Sequence, residues 1–412
     1  MESAPLPAVR ERDEVRALGD LLAHGLGGAV GLVRDVHRAV GARTFGLLGL
    51  LGLPARAMHD AISTGAYATV RFTSSGAGRL ASAATSSLLP PAGRHLSRSR
   101  EGRLLVGALN GAIGDRLAGA RSDAAIDMAL RAHSRDLPTE PGALSAAYPD
   151  AGPRLVLFVH GLCETDEAWG PWPGSFGTRL RDDIGYTPLQ LGYNSGLHVS
   201  DNGRALAELL DGVVEAWPVQ VEELVLVGHS MGGLVARAAC HYGHEAGLGW
   251  TERLRHVFCL GSPHLGAPLE QAANVGGWAL GRLPETRPFA RVVNGRSAGI
   301  KDLRYGSLLE DDWCDCDPDE LLTDRCCDVP FLETATYYFI AATLASDPGS
   351  PLGRVVGDLL VLYPSASGQG RRRPIPFEAD HGRHFGAMTH FHLLRHPAVY
   401  EQLRTWLESG DR

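Results

Sequence analysis

Apolar positions change rhythm along this chain. Before about residue 150, several stretches read as helices, at about 11–40, 55–85 and 102–133. In the last of these Leu105, Leu109, Ile113 and Leu117 recur at helical spacing. This region has few aromatics and no convincing strand. Residues 85–103, with Ser, Pro, Gly and Arg, read as a loop, and the Pro/Gly-rich stretch 138–153 reads as a domain boundary. From 154 onward short apolar runs alternate with helical segments. Strands are expected at 154–159, 186–192, 224–227, 256–260 and 337–342. Helices are expected at 202–217, opened by Ser200 or Asp201, at 234–239 and at 398–408.

Strands alternating with helices imply an α/β fold. Its central sheet is mostly parallel with helices on both faces, and an N-terminal helical region, 1–150, is joined to it. Residues 151–412 then form the second domain. Residues 264–335 are a long insertion between two core strands, and its apolar start suits a lid over an acyl pocket or a plain extension. In such sheets the active site lies beyond the carboxyl ends of the strands.

Composition narrows the partners. A net charge of -8 argues against a nucleic-acid-binding surface. The charged first twenty residues do not read as a secretory signal, and no apolar run reaches about 18 residues, the length a spanning helix needs. The nearest run, 45–54, is short and broken by glycine. A cytoplasmic protein with no transmembrane segment is expected, with peripheral lipid contact open and oligomeric state undetermined. Cys314, Cys316, Cys326 and Cys327 share one acidic stretch, but their spacing is not that of a zinc ribbon or finger, so reduced thiols are expected.

The chemistry centres on Gly228-His229-Ser230-Met231-Gly232-Gly233. A serine hydroxyl is a poor nucleophile until it is held out of the backbone beside a base. A sharp turn between an apolar strand and a helix does this, and it needs small residues at 228 and 232. The base is sought among His381, His384, His390, His392 and His396, which crowd the C-terminus. His390, in the loop before the closing helix, fits best, with His384 and His392 as alternatives. Asp358, after a glycine and before a short apolar run, is favoured as the orienting acid over Asp347. His160-Gly161 ends the first strand of the domain, where glycine lets backbone approach substrate. The amides of Leu162 and Met231 would then form the oxyanion hole. His160 itself suits an oxyanion-loop role better than that of a base.

These motifs stand in the order found in the α/β-hydrolases, and residues 154–408 resemble their lipase and esterase branch. The segment 261–268, Gly-Ser-Pro-His-Leu-Gly-Ala-Pro, is similar to one in bacterial lipases and GPI inositol-deacylase-like hydrolases. The resemblance implies a serine hydrolase of carboxylic esters, small-molecule or lipid, that needs no cofactor. Calcium-dependent bacterial lipases carry an aspartate two residues after the catalytic histidine. Here that position is His392, so no such metal site is expected. Two other readings share the residues: acyl transfer to an alcohol through the same triad, and a non-catalytic binding protein that kept the fold.

Overall fold

A computed structural model describes residues 13–46, 53–88, 95–132, 134–170 and 173–410. The chain divides into two compact units. One comprises Met1–Val106, Leu117–Ala125 and Gly276–Gly295; the other comprises Gly107–Arg116, Ile126–Val275 and Arg296–Arg412.

The first unit is helical. Glu14–Gly46 and Leu53–Leu88 pack along each other. His37 meets the rings of His59 and Tyr67 edge-on across this seam, at 4.9 and 5.8 Å. A third helix, Arg287–Asn294, joins the same unit through an Arg291–Asp35 ion pair of 2.6 Å. The two long helices are those expected from the sequence, each slightly longer. Most of the apolar run 45–54 lies outside the described residues.

The second unit is built on one eight-stranded sheet. Its strands are β1 (Ala129–Ala132), β2 (Arg135–Leu137), β3 (Arg154–Val159), β4 (Thr187–Gly192), β5 (Glu223–His229), β6 (Leu254–Leu260), β7 (Thr336–Thr343) and β8 (Gly382–Gly386). Their order is β2-β1-β4-β3-β5-β6-β7-β8. Strands β3 to β8 run parallel, while β1 is antiparallel to both β4 and β2. The apolar runs of β3 and β5 follow from burial on both faces. Leu155, Leu157, Val159, Leu224 and Leu226 join one core; the alternate residues Val156, Phe158, Val225 and Val227 join the other.

Several local expectations are corrected. The helix expected at 102–133 spans Arg100–Gly119 and does not continue to 133. The chain instead enters β1, whose Leu130 is fully buried opposite Leu191 of β4. The N-terminal 150 residues therefore hold two strands, and the division into units does not fall at 138–153. The helix at 199–216 (Val199–Ala216) is opened at His198, not by Ser200 or Asp201. The Val199 amide donates to Asp302 Oδ2 at 2.7 Å, so a carboxylate distant in sequence caps this helix. The stretch 85–103 is part helix, up to Leu88 and from Arg100, and 89–94 lie outside the described residues. The insertion does separate β6 from β7, and its middle, Gly276–Gly295, belongs to the helical unit.

Candidate active site

Ser230 sits between β5 and the helix Met231–Glu245, at φ 53° and ψ -122°. A non-glycine residue there is strained. The surrounding backbone enforces it. Its N–H donates to Leu260 O at 2.8 Å, and the Gly233 amide closes the turn onto Ser230 O at 3.2 Å. A Cβ at 228 would lie 2.4 Å from Gly233 N, and one at 232 would lie 2.4 Å from Val159 O. Only glycine fits either place, as the motif demands.

Asp358 and His390 come together from loops after β7 and β8. His390 Nδ1 donates to Asp358 Oδ2 at 2.7 Å, and both side chains are buried. Asp358 Oδ1 takes the amides of Leu360 and Val361 at 3.0 and 2.8 Å, which fixes the carboxylate plane. His390 lies beside Ser230's neighbours. Its carbonyl is 3.3 Å from His229 Nε2, and a Cβ on Gly261 would stand 3.0 Å from its ring. The hydrogen bond from Ser230 to the base that the sequence leads one to expect is not formed. His390 Nε2 is buried with no hydrogen-bond partner among the described residues.

The alternatives are placed elsewhere. Asp347 is exposed and accepts the Gly349 amide in a local turn. His384 lies on β8 and bonds Thr343 Oγ1 at 2.8 Å. His392 Nδ1 accepts the Thr389 amide of its own turn. His381, half-buried, groups with the exposed Glu378 and Asp380, and His396 Nδ1 accepts the Ala398 amide at the start of the closing helix.

On the other side of Ser230, His160 and Gly161 follow β3 directly. A Cβ on Gly161 would come within 3.1 Å of Ser230 Cβ, so this glycine permits the close approach. The amides of Leu162 and Met231 have no acceptor among the described residues. His160 stacks on Tyr193 with ring centroids 4.2 Å apart, and Tyr193 Oη donates to His160 O at 2.7 Å. Burial brings its imidazole down to about 4, so it is neutral and holds this loop.

The strand order with its β3/β4 crossover, the strained serine after β5, and the Asp358–His390 pair after β7 and β8 occur together in one architecture. The fold is that of the α/β-hydrolases. A family model described as "PGAP1-like alpha/beta domain" matches residues 196–277, which include the elbow. No curated protein matches the chain. Among solved structures, a Bacillus licheniformis lipase in mature form is similar at 20% identity over 62% of this chain and 91% of its own, with a TM-score of 0.41. An esterase of Pyrobaculum calidifontis is similar at 13% identity over 64% and 77%, with a TM-score of 0.37.

One residue at this candidate site escapes sequence reasoning. Glu164 Oε2 accepts the Gly161 amide at 2.7 Å and bonds His229 Nδ1 at 3.1 Å. Its only signal in the chain is the spacing His160-Gly161-Leu162-Cys163-Glu164. Among the described residues, the one group arranged as a possible metal site is the exposed Glu378 and Asp380 with the half-buried His381. A cavity of about 820 Å³, lined by Arg154, Glu223, His256 and Tyr338, lies at the opposite end of the sheet from Ser230. All seven cysteines are free.

Proposed function

We propose that the protein is a serine hydrolase of carboxylic esters, of the esterase and lipase kind. The observation that carries this reading is the buried Asp358–His390 pair beside a serine held in an elbow that only glycine neighbours allow. In this scheme Ser230 Oγ attacks the ester carbonyl while His390 Nε2 takes its proton. Asp358 keeps the His390 proton on Nδ1, so that Nε2 is a base. The oxyanion is received by the amides of Leu162 and Met231. His390 then returns the proton to the leaving alcohol, and water releases the acyl group by the same route. The scheme requires His390 Nε2, which has no partner among the described residues, to close onto Ser230 Oγ in the substrate complex, as catalytic contacts that are long in a free enzyme often do. The scheme uses no cofactor.

A fluorophosphonate probe tests the reading. It should label the wild-type chain at Ser230 and leave Ser230→Ala unlabelled with its fold unchanged. Hydrolysis of p-nitrophenyl esters should fall by several orders of magnitude in that variant. A Ser230→Ala protein with more than a few per cent of wild-type turnover overturns the assignment. A p-nitrophenyl series of increasing chain length then reads the acyl preference.

A further inference from the structure

The residue before Ser230 is an imidazole placed between two acceptors. His229 is fully buried. Its Nδ1 lies 3.1 Å from Glu164 Oε2, and its Nε2 lies 3.3 Å from the backbone carbonyl oxygen of His390. A neutral imidazole has one N–H and one lone pair. Either tautomer would therefore turn a lone pair toward a carboxylate or a carbonyl, inside the protein, where an unpaired polar contact is costly. A doubly protonated ring satisfies both.

We propose that His229 is held as an imidazolium, and that this cation, bridging the Glu164 carboxylate and the His390 carbonyl, locks the oxyanion loop and the base loop in register around Ser230. Three loops meet there. Glu164 also accepts the Gly161 amide, so one carboxylate fixes the chain that supplies the Leu162 amide. His229 is covalently next to the nucleophile, and its other nitrogen fixes the main chain of the residue that carries the base. His229 is a positioning residue: it acts through Gly161, Ser230 and His390.

The charges that face His229 agree with this. Burial alone would push the ring toward neutral, but it is outweighed by the Glu164 carboxylate, the bond to Glu164, the His390 carbonyl and Asp358, and the ring's pKa is raised. For Glu164, burial pushes upward and is outweighed by the His229 cation, its bond and the Gly161 amide, which bring the carboxyl down to about 2. The other titratable groups facing His229 are His160, held neutral by burial, and the His390 ring at 4.6 Å. The remaining close rings, Trp169 and Phe391, carry no charge.

The effect on turnover rests on the serine-hydrolase reading; the charge state does not. The full chain labelled with ¹⁵N-histidine, with His229 assigned from His229→Gln, should show both ring nitrogens protonated at about pH 7.5, roughly one unit above an ordinary imidazole. Glu164→Gln removes the carboxylate that faces the cation; because one Glu164 oxygen serves both the Gly161 amide and Nδ1, the glutamine keeps its oxygen there and asks for a neutral ring, or turns its NH₂ to Nδ1 and gives up the Gly161 bond. In that variant the ring should carry only one proton at that pH, and the alkaline limb of kcat on p-nitrophenyl butyrate expected of the wild type should be absent. His229→Gln should lower kcat about tenfold or more with KM within about threefold. A wild-type ring with one bare nitrogen at that pH overturns the proposal, as do identical pH profiles for wild type and Glu164→Gln. If His229→Gln does not fold, the ring signal that changes between wild type and Glu164→Gln supplies the assignment, and those two proteins decide. A wild-type chain that fluorophosphonate does not label sinks the hydrolase reading instead, and leaves the ring's protonation to be judged by its spectrum.

Discussion

His390 is bound to Asp358 twice. Its Nδ1 donates to Asp358 Oδ2 at 2.7 Å, and its backbone amide donates to the Asp358 carbonyl oxygen at 3.0 Å. The acid thus holds both the ring and the main chain of the base, and a change at 358 acts on both tautomer and loop.

Asp358→Asn must place an NH₂ group either against the amides of Leu360 and Val361 or against His390 Nδ1. The second choice drives the proton onto Nε2 and removes the base. Turnover should fall on the order of 10⁴-fold. His390→Ala should fall further, on the order of 10⁶-fold. Steady-state rates on a p-nitrophenyl ester check both, and a His384→Ala protein more damaged than His390→Ala would reassign the base.

Gly232→Ala should damage the fold of the elbow itself. The new Cβ would stand 2.4 Å from Val159 O and 2.5 Å from His160 O, both backbone atoms that cannot swing away. Such overpacking costs about 1–3 kcal/mol or more. Gly249→Ala is the control, because nothing lies within 4 Å of its added methyl. Thermal unfolding should separate the two; equal melting temperatures would mean that the turn relaxes freely.

These glycines also show what could be read in advance. The elbow was legible because its steric demand leaves a local trace, two glycines around a serine between an apolar strand and a helix. The parallel strands were legible because burial on both faces writes continuous apolar runs such as 224–227. The strands β1 and β2 were not. They are short, β2 at the edge of the sheet and β1 next to it, with Arg131, Arg135 and Asp136 among their residues, so no apolar run or alternation marks them. Asp302 at the start of the Val199–Ala216 helix and Glu164 beneath His229 were equally hidden. Each is a single carboxylate whose meaning comes from a partner brought near by folding. Choosing His390 among five clustered histidines depended on fold order, since all five share one local composition.

Acid should loosen the site through Glu164. Its carboxyl lies at about 2 in the folded chain against an ordinary 4.5. A depressed acid contributes stability above its unfolded value and loses it as the pH falls through the folded one. The contribution, about 3 kcal/mol at neutral pH, should therefore disappear between roughly pH 4.5 and pH 2. Urea unfolding at neutral pH and at about pH 3 reads this. Glu164→Gln should lack that part of the decline, and parallel stability losses in the two proteins would contradict the assigned cause.

Removing residues 1–150 should not leave a stable sheet unit, because part of that unit lies within them. The cut deletes β1, whose fully buried Leu130 pairs with Leu191, and β2 beside it. It also deletes the Gly107–Arg116 segment. There Gly114 O accepts Asn194 Nδ2 at 2.9 Å, Gly111 O accepts Ser297 Oγ at 2.6 Å, and Ala112 O accepts the Ser297 amide at 3.0 Å. Asn194 and Ser297 are both buried in the intact chain, so the cut removes their partners and strips the cover that keeps these polar groups ordered. Each lost hydrogen bond costs about 0.5–1.5 kcal/mol, and the lost cover of Leu191 adds about 1.5–3 kcal/mol. The sum approaches the 5–15 kcal/mol that holds an ordinary domain together. A 151–412 fragment should accordingly aggregate or bind a hydrophobic dye on expression. A soluble fragment with full esterase turnover would show that the 107–137 stretch is dispensable to the sheet.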